Sequence, residues 1–116
     1  MEYSSAHALA RDIRQSEEYA TYHGLREEVM ADETTAALIR EYKKLQTVIQ
    51  MAAVTGQQPG AEDMQRFSAI GALLFAKPEV QQYLLAEMRL QQAMADIFRI
   101  VTEAADLDMG LPGFGA

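Results

Sequence analysis

The feature that most constrains the fold is a long periodic segment near the carboxyl end of the sequence, from Pro78 to about Ala105. Its seam residues recur at alternating steps of three and four, which places them along one side of an α-helix. The seam consists of Val80, Tyr83, Glu87, Leu90, Met94, Ile97, Val101 and Ala104. A helix of this length spans about 40 Å at about 1.5 Å per residue. Only another long helix can pack along it, so the segment predicts an all-α protein.

A second seam of the same period follows Asp32, a residue suited to cap a helix. Its members are Thr35, Leu38, Tyr42, Leu45, Ile49 and Ala52. This helix is predicted to reach Val54 or Thr55, because the segment 56–60 contains two glycines and a proline. So short a connection predicts an antiparallel helical hairpin.

Three shorter helices complete the prediction. The first covers about residues 6–15 with Ser4 or Ser5 as its N-cap, and the second follows Ser16. The other short helix begins near residue 62 and ends before Pro78, although one long helix kinked at Pro78 is an alternative. We interpret Gly24, inside the second helix, as a point of close approach by a neighbouring helix. Five methionines are interpreted as core filling: Met30, Met51, Met64, Met88 and Met94.

Together these segments predict one domain over residues 1–105, an antiparallel bundle of about five helices in which the two long helices pack antiparallel. Residues 106–116 contain glycine and proline and form a flexible tail, or a tail that docks through Leu111 and Phe114.

Composition narrows the function classes. The net charge of -7 and the pI near 4.7 disfavour direct binding to a nucleic-acid backbone. The absence of cysteine excludes disulfides, thiolate nucleophiles and cysteine-bound metal. The amino terminus has no basic start followed by an apolar stretch, and the apolar run 70–76 is too short to cross a bilayer. We therefore expect a cytoplasmic protein.

The sequence contains no phosphate-binding loop and no catalytic triad pattern. We expect no enzyme, and we assign no catalytic, cofactor-binding or metal-binding residue. One alternative is a small metal-binding or enzymatic bundle using His23 and Glu27, which are four residues apart, together with Glu87. Another is an RNA-binding protein using three cations predicted on the outer face of the third helix: Arg40, Lys43 and Lys44.

The last helix carries apolar residues on more than one flank, and a bundle this small has few helices to cover them. Wide apolar patches on soluble proteins usually mark interfaces, so a homo-oligomer, first of all a dimer, is predicted. Glu87 is expected to pair locally; the alternative is a polar residue that fixes helix register. The interface candidates are Tyr83, Glu87, Leu90, Ile97, Phe98 and Ile100.

Several stretches in order also resemble one known family. They are residues 8–19, Asp32 with Glu41-Tyr42 and Gln46, the loop 56–60, and residues 77–87. The sequence resembles the YlbF/YmcA (YheA-like) small helical regulatory proteins of Gram-positive bacteria. The resemblance implies a self-associating helical bundle without catalytic residues.

The same resemblance implies a role in competence, biofilm formation and sporulation. It also implies partners among paralogous family members or in a complex associated with the endoribonuclease RNase Y. Some members of that complex bind iron–sulfur clusters through cysteines. This sequence has no cysteine, so no cluster is expected.

Overall fold

A computed structural model describes residues 1–107, and these residues form five α-helices without any strand. The helices are α1 (Ser4–Arg14), α2 (Glu17–Met30), α3 (Glu33–Val54), α4 (Ala61–Phe75) and α5 (Pro78–Ala104). The prediction of an all-α fold with five helices, two of them long, is confirmed. Residues 108–116, with the predicted docking residues Leu111 and Phe114, lie outside the described part.

The described residues divide into two compact units, one formed by residues 1–24 and 84–107 and the other by residues 25–83. A single domain over residues 1–105 stays a prediction. None of the five helices is both long and apolar enough to cross a membrane.

Side chains cap the helices largely where the sequence predicts. The Ser16 hydroxyl accepts the Tyr19 N–H at 3.2 Å at the start of α2. At the start of α3, the Asp32 carboxylate accepts the Thr35 hydroxyl at 2.5 Å and the Thr35 N–H at 3.3 Å. These two hydrogen bonds hold the pKa of Asp32 below its ordinary value.

The first helix differs from the prediction at its start. It begins at Ser4, with Ser5 also inside the helix, and neither serine is the N-cap residue. The carboxylate of Glu2 accepts the Ser4 N–H at 3.1 Å instead. A glutamate two residues upstream therefore supplies the acceptor that the sequence analysis assigned to a serine.

Helices α3 and α4 form the predicted antiparallel hairpin, in the unit of residues 25–83. Their contact centres on Tyr42, which stacks on Phe67 with ring centroids 4.6 Å apart and meets Phe75 edge-on at 6.0 Å. Gly71 is buried opposite Tyr42, and a Cβ built on Gly71 would lie 3.4 Å from the tyrosine ring.

The close approach predicted at Gly24 is therefore found elsewhere. A Cβ built on Gly24 would meet nothing within 4 Å, so no neighbouring helix lies close to this glycine. At Gly71, by contrast, the missing side chain leaves room for the aromatic ring of α3. The prediction for Gly24 was wrong because sequence alone does not show which side of a helix faces a neighbour.

The start of α5 runs in the same direction as α3. Lys77, just before α5, donates to the Thr35 hydroxyl at 2.9 Å and lies 3.8 Å from the Asp32 carboxylate. Two turns later, Lys43 donates to the Tyr83 hydroxyl at 3.1 Å. From the first contact to the second, the residue number rises on both helices, so the two helices run in the same direction here. The predicted antiparallel pairing of the long helices is therefore wrong over this stretch.

The antiparallel partner of α3 is α4, and α5 starts as a separate helix after α4 ends at Phe75. This excludes the alternative of one helix kinked at Pro78. A break at residues 76–77 and the proline that follows give α5 its new direction.

The methionines do not fill the core as predicted. Only Met30 is half-buried, while Met51, Met64, Met88 and Met94 are exposed. Branched aliphatic side chains and one tyrosine account for much of the buried core: Val29, Ile39, Leu45, Leu74, Val80 and Tyr83.

Candidate interaction surface

The first two turns of α5 are buried along the seam. Val80 and Tyr83 have no exposed surface, and Ala86 is buried. The Lys43 ammonium lies 5.3 Å from the centroid of the Tyr83 ring as well as donating to its hydroxyl. Tyr83 thus has its hydroxyl satisfied and its ring covered, which makes it a core residue of the single chain.

Exposure rises along the same seam toward the carboxyl end of α5. Leu90, Ile97 and Phe98 are half-buried. Met94 is 38% exposed and Val101 56%, whereas Val80 is 0% exposed. We call six residues the α5 carboxyl-terminal face: Leu90, Met94, Ile97, Phe98, Ile100 and Val101.

Helix α1 partly covers this face within its own unit. An open groove of about 190 Å³ is lined by Leu9 and Ile13 of α1 and by Leu90, Met94 and Ile97 of α5, among other residues. The inward face of α1 and the seam of α5 therefore meet around a gap that is not filled by side chains.

The predicted interface residues fall into three groups. Tyr83 has no surface available to a partner. Glu87 is half-buried and interacts with other residues of the chain. Leu90, Ile97 and Phe98 are half-buried, and Ile100 is 65% exposed on the flank of the seam.

Met94 and Val101 are exposed apolar residues that the candidate set left out, although both belong to the predicted seam. The periodicity of the sequence identified their side of the helix. The periodicity could not show that fewer residues of the same chain pack against α5 toward residue 101.

The predicted cationic cluster on α3 is divided. Arg40 and Lys44 are exposed, whereas Lys43 is half-buried and directed to Tyr83. The prediction that all three lie on the outer face was wrong for Lys43, because its position on the helix turns it toward α5. The RNA-binding alternative therefore loses one of its three cations.

The alternative metal site, at His23 and Glu27, is not part of a group of metal-binding side chains among the described residues. His23 stacks on Tyr19, with ring centroids 5.5 Å apart and the planes 12° from parallel. Both His23 and Glu27 are exposed. Within residues 1–107, no three histidine or carboxylate side chains lie close enough together to hold a metal ion.

Comparison with known proteins identifies the family. Residues 3–105 match the family described as control of competence regulator ComK, YlbF/YmcA. The chain belongs to the YlbF/YmcA family. Since the match includes all five helices, it covers both the buried start of α5 and the α5 carboxyl-terminal face.

Individual relatives of this YlbF/YmcA chain match over most of their length. A UPF0342 protein of Symbiobacterium thermophilum is 28% identical over 92% of this chain and 96% of its own. A UPF0342 protein of Halothermothrix orenii is 33% identical over 85% of this chain and 84% of its own. A UPF0342 protein of Streptococcus pyogenes is 31% identical, with 85% and 88% covered.

Proposed function

We propose that this YlbF/YmcA protein is a non-enzymatic regulator in the control of competence that works by helix-mediated assembly. The assembly surface is the α5 carboxyl-terminal face. The observation that carries the proposal is the change in exposure along one seam, from 0% at Val80 to 56% at Val101. A single seam that is core at one end and uncovered at the other fits a helix that completes its packing on a second chain.

The occupant of this face is a second copy of the chain or a paralogous family member. Contiguous exposed apolar surface is uncommon on soluble monomers and usually marks an interface. Two copies related by a twofold axis would cover the face with one and the same surface. Paralogues share the helical pattern, so a mixed pair would use equivalent faces.

The wider biological role is part of the proposal and is supported by the family resemblance. Regulators of this kind act in competence, biofilm formation and sporulation, and some are linked to RNA processing by RNase Y. A protein without catalytic residues can adjust such processing by binding the proteins that carry it out. Assembly through α5 supplies that kind of activity.

Light scattering on the purified full chain tests the assembly. A dimer has twice the monomer mass of 12.9 kDa. We expect the dimer mass at micromolar concentration, and we expect Val101→Glu to return the protein to the monomer mass, because a buried unpaired carboxylate is costly. The variant Ile100→Glu tests whether the flank of the seam contributes to the dimer contact.

Met88→Glu is the matched control, because Met88 is 64% exposed on the same helix and lies off the seam. It should leave the dimer intact. A monomer mass for the unaltered chain would overturn the proposal. A dimer that survives both Val101→Glu and Ile100→Glu with unchanged circular dichroism would show that the contact lies on another face.

A further inference from the structure

The exposed side of α3 carries two cations followed by two apolar residues along one line, which the C-cap residue Thr55 continues. Arg40, Lys44, Val48, Met51 and Thr55 are spaced by four, four, three and four positions, which places them on one side of the helix. All five are exposed. We call these five residues the α3 stripe. It is distinct from the faces of α3 that contact α4 and the start of α5.

The amino-terminal half of the α3 stripe is locally positive. Neither Arg40 nor Lys44 makes an ion pair or a side-chain hydrogen bond among the described residues. The carboxylate next to them, Glu41, is half-buried and forms an ion pair with Arg66 of α4. The next acid on this side is Glu33, seven positions before Arg40 and about 10 Å away along the helix. Arg40 and Lys44 lie one turn apart on the same side of α3, so their two charges add on one surface.

The other half of the stripe is uncharged and consists of two apolar residues and a threonine. Val48 is 42% exposed and Met51 is 55% exposed. No charged residue occurs from Gln46 to Ala61. A flexible methionine beside a valine offers a surface that adapts to apolar side chains of different shape. From Arg40 to Met51 the stripe is about 16 Å long, which equals three turns of a partner helix.

We propose that the α3 stripe binds an amphipathic helix of another protein, one that carries two carboxylates a turn apart and apolar residues on the neighbouring turns. The carboxylates pair with Arg40 and Lys44, and the apolar residues cover Val48 and Met51. The five described helices of this chain are poor candidates for the bound helix, because none of them has two carboxylates three or four positions apart. The carboxylates of α2 are not aligned with exposed large apolar residues, which are absent from that helix.

An amphipathic helix fits the stripe better than RNA does. Affinity for a phosphate backbone grows with the number of cations that neutralise phosphates, and the stripe has only two. RNA would also leave Val48 and Met51 uncovered. A helix in contact with a helix uses both halves of the surface.

The test uses a fluorescently labelled helical peptide of about five turns, about 18 residues. It carries two glutamates four positions apart and two leucines on the following turns, with two lysines on the far side so that its net charge is zero. A second peptide has the leucines first, because the partner can run in either direction. Binding to the full chain is followed by fluorescence anisotropy at about 0.05 M salt, where charge pairs are weakly screened.

We expect one of the two peptides to bind, and Arg40→Glu with Lys44→Glu to weaken binding by about tenfold or more. A peptide in which the glutamates and the lysines exchange places, so that its net charge stays zero, should bind the charge-reversed protein and not the unaltered one. The matched control is Arg26→Glu with Arg89→Glu, which changes the net charge equally at two exposed arginines outside α3. Met51→Asp should weaken binding and Met88→Asp should not.

The proposal is overturned if neither peptide binds, or if the control charge reversal weakens binding as much as the reversal on α3. It is also overturned if a single-stranded oligonucleotide, and no peptide, binds in a way that depends on Arg40 and Lys44. The mass of the chain in light scattering is independent of these outcomes. Failure of this inference and failure of the assembly proposal are therefore distinguishable.

Discussion

Gly56 and Asp106 occupy equivalent positions at the ends of the two long helices. Gly56 follows α3 with φ of 77°, and Asp106 follows α5 with φ of 54°. After α5, the Asp106 N–H donates to the Glu103 carbonyl at 3.2 Å and the Leu107 N–H donates to the Thr102 carbonyl at 3.1 Å. The end of α3 has the same pair of bonds, so both helices end in a Schellman motif. Only one of them has glycine at the left-handed position, where an L side chain is strained.

Replacing Asp106 with glycine should therefore raise the free energy of unfolding by about 0.5–1 kcal/mol, because the side-chain strain is removed. Gly56→Ala should lower it by about 1–2 kcal/mol for the opposite reason. Urea denaturation followed by circular dichroism measures both. Asp106→Ala is the control, since alanine removes the charge near the helix carboxyl end and keeps a Cβ in the left-handed conformation. If alanine stabilises as much as glycine, the cost at Asp106 is electrostatic and the backbone explanation fails.

At the level of helices, the two internal glycines of α2 and α4 should respond in opposite ways. Gly24→Ala should raise the free energy of unfolding by about 1 kcal/mol, because the site is open and alanine favours the helix. Gly71→Val should lower it by about 1–3 kcal/mol, because its methyl groups would enter the space of the Tyr42 ring. Thermal and urea unfolding report both changes.

Gly24→Val is the matched control for Gly71→Val, since it places the same side chain in a helix without a neighbour. It should leave stability near that of the unaltered chain. Equal losses at both positions would mean that valine in the helix, and not contact with Tyr42, is responsible.

The helices could be predicted from sequence because their signals are local. Asp32, the glycine at 56 and Pro78 each act within one turn of their own position, and all three mark helix ends as predicted. The direction of α5 relative to α3 depends on the break at residues 76–77 and on the contact of Lys43 with Tyr83. A seam shows which side of a helix is apolar. It does not show at which residue the packing of neighbouring helices against that side ends. The exposure of Met94 and Val101, which both belong to the α5 seam, was beyond sequence analysis for that reason.

Charge acts on the molecule as a whole. Each chain carries a net charge of -7, so two copies repel one another on approach whichever face they use. The α5 carboxyl-terminal face contains no charged residue itself, although Asp96 and Arg99 form an ion pair beside it at 2.9 Å. Attraction in the proposed dimer is therefore apolar, and its electrostatic component is unfavourable.

Added salt should consequently tighten the proposed dimer. Raising the ionic strength from about 0.01 M to about 0.15 M shortens the Debye length from about 30 Å to about 8 Å and screens the repulsion between the two chains. We expect the dissociation constant, measured by sedimentation at several protein concentrations, to fall by about tenfold. Met88→Glu adds a negative charge away from the seam and should steepen this dependence without abolishing the dimer. A dimer that weakens as salt is added would show that ion pairs hold the two copies together, and the apolar α5 contact would then be the wrong explanation.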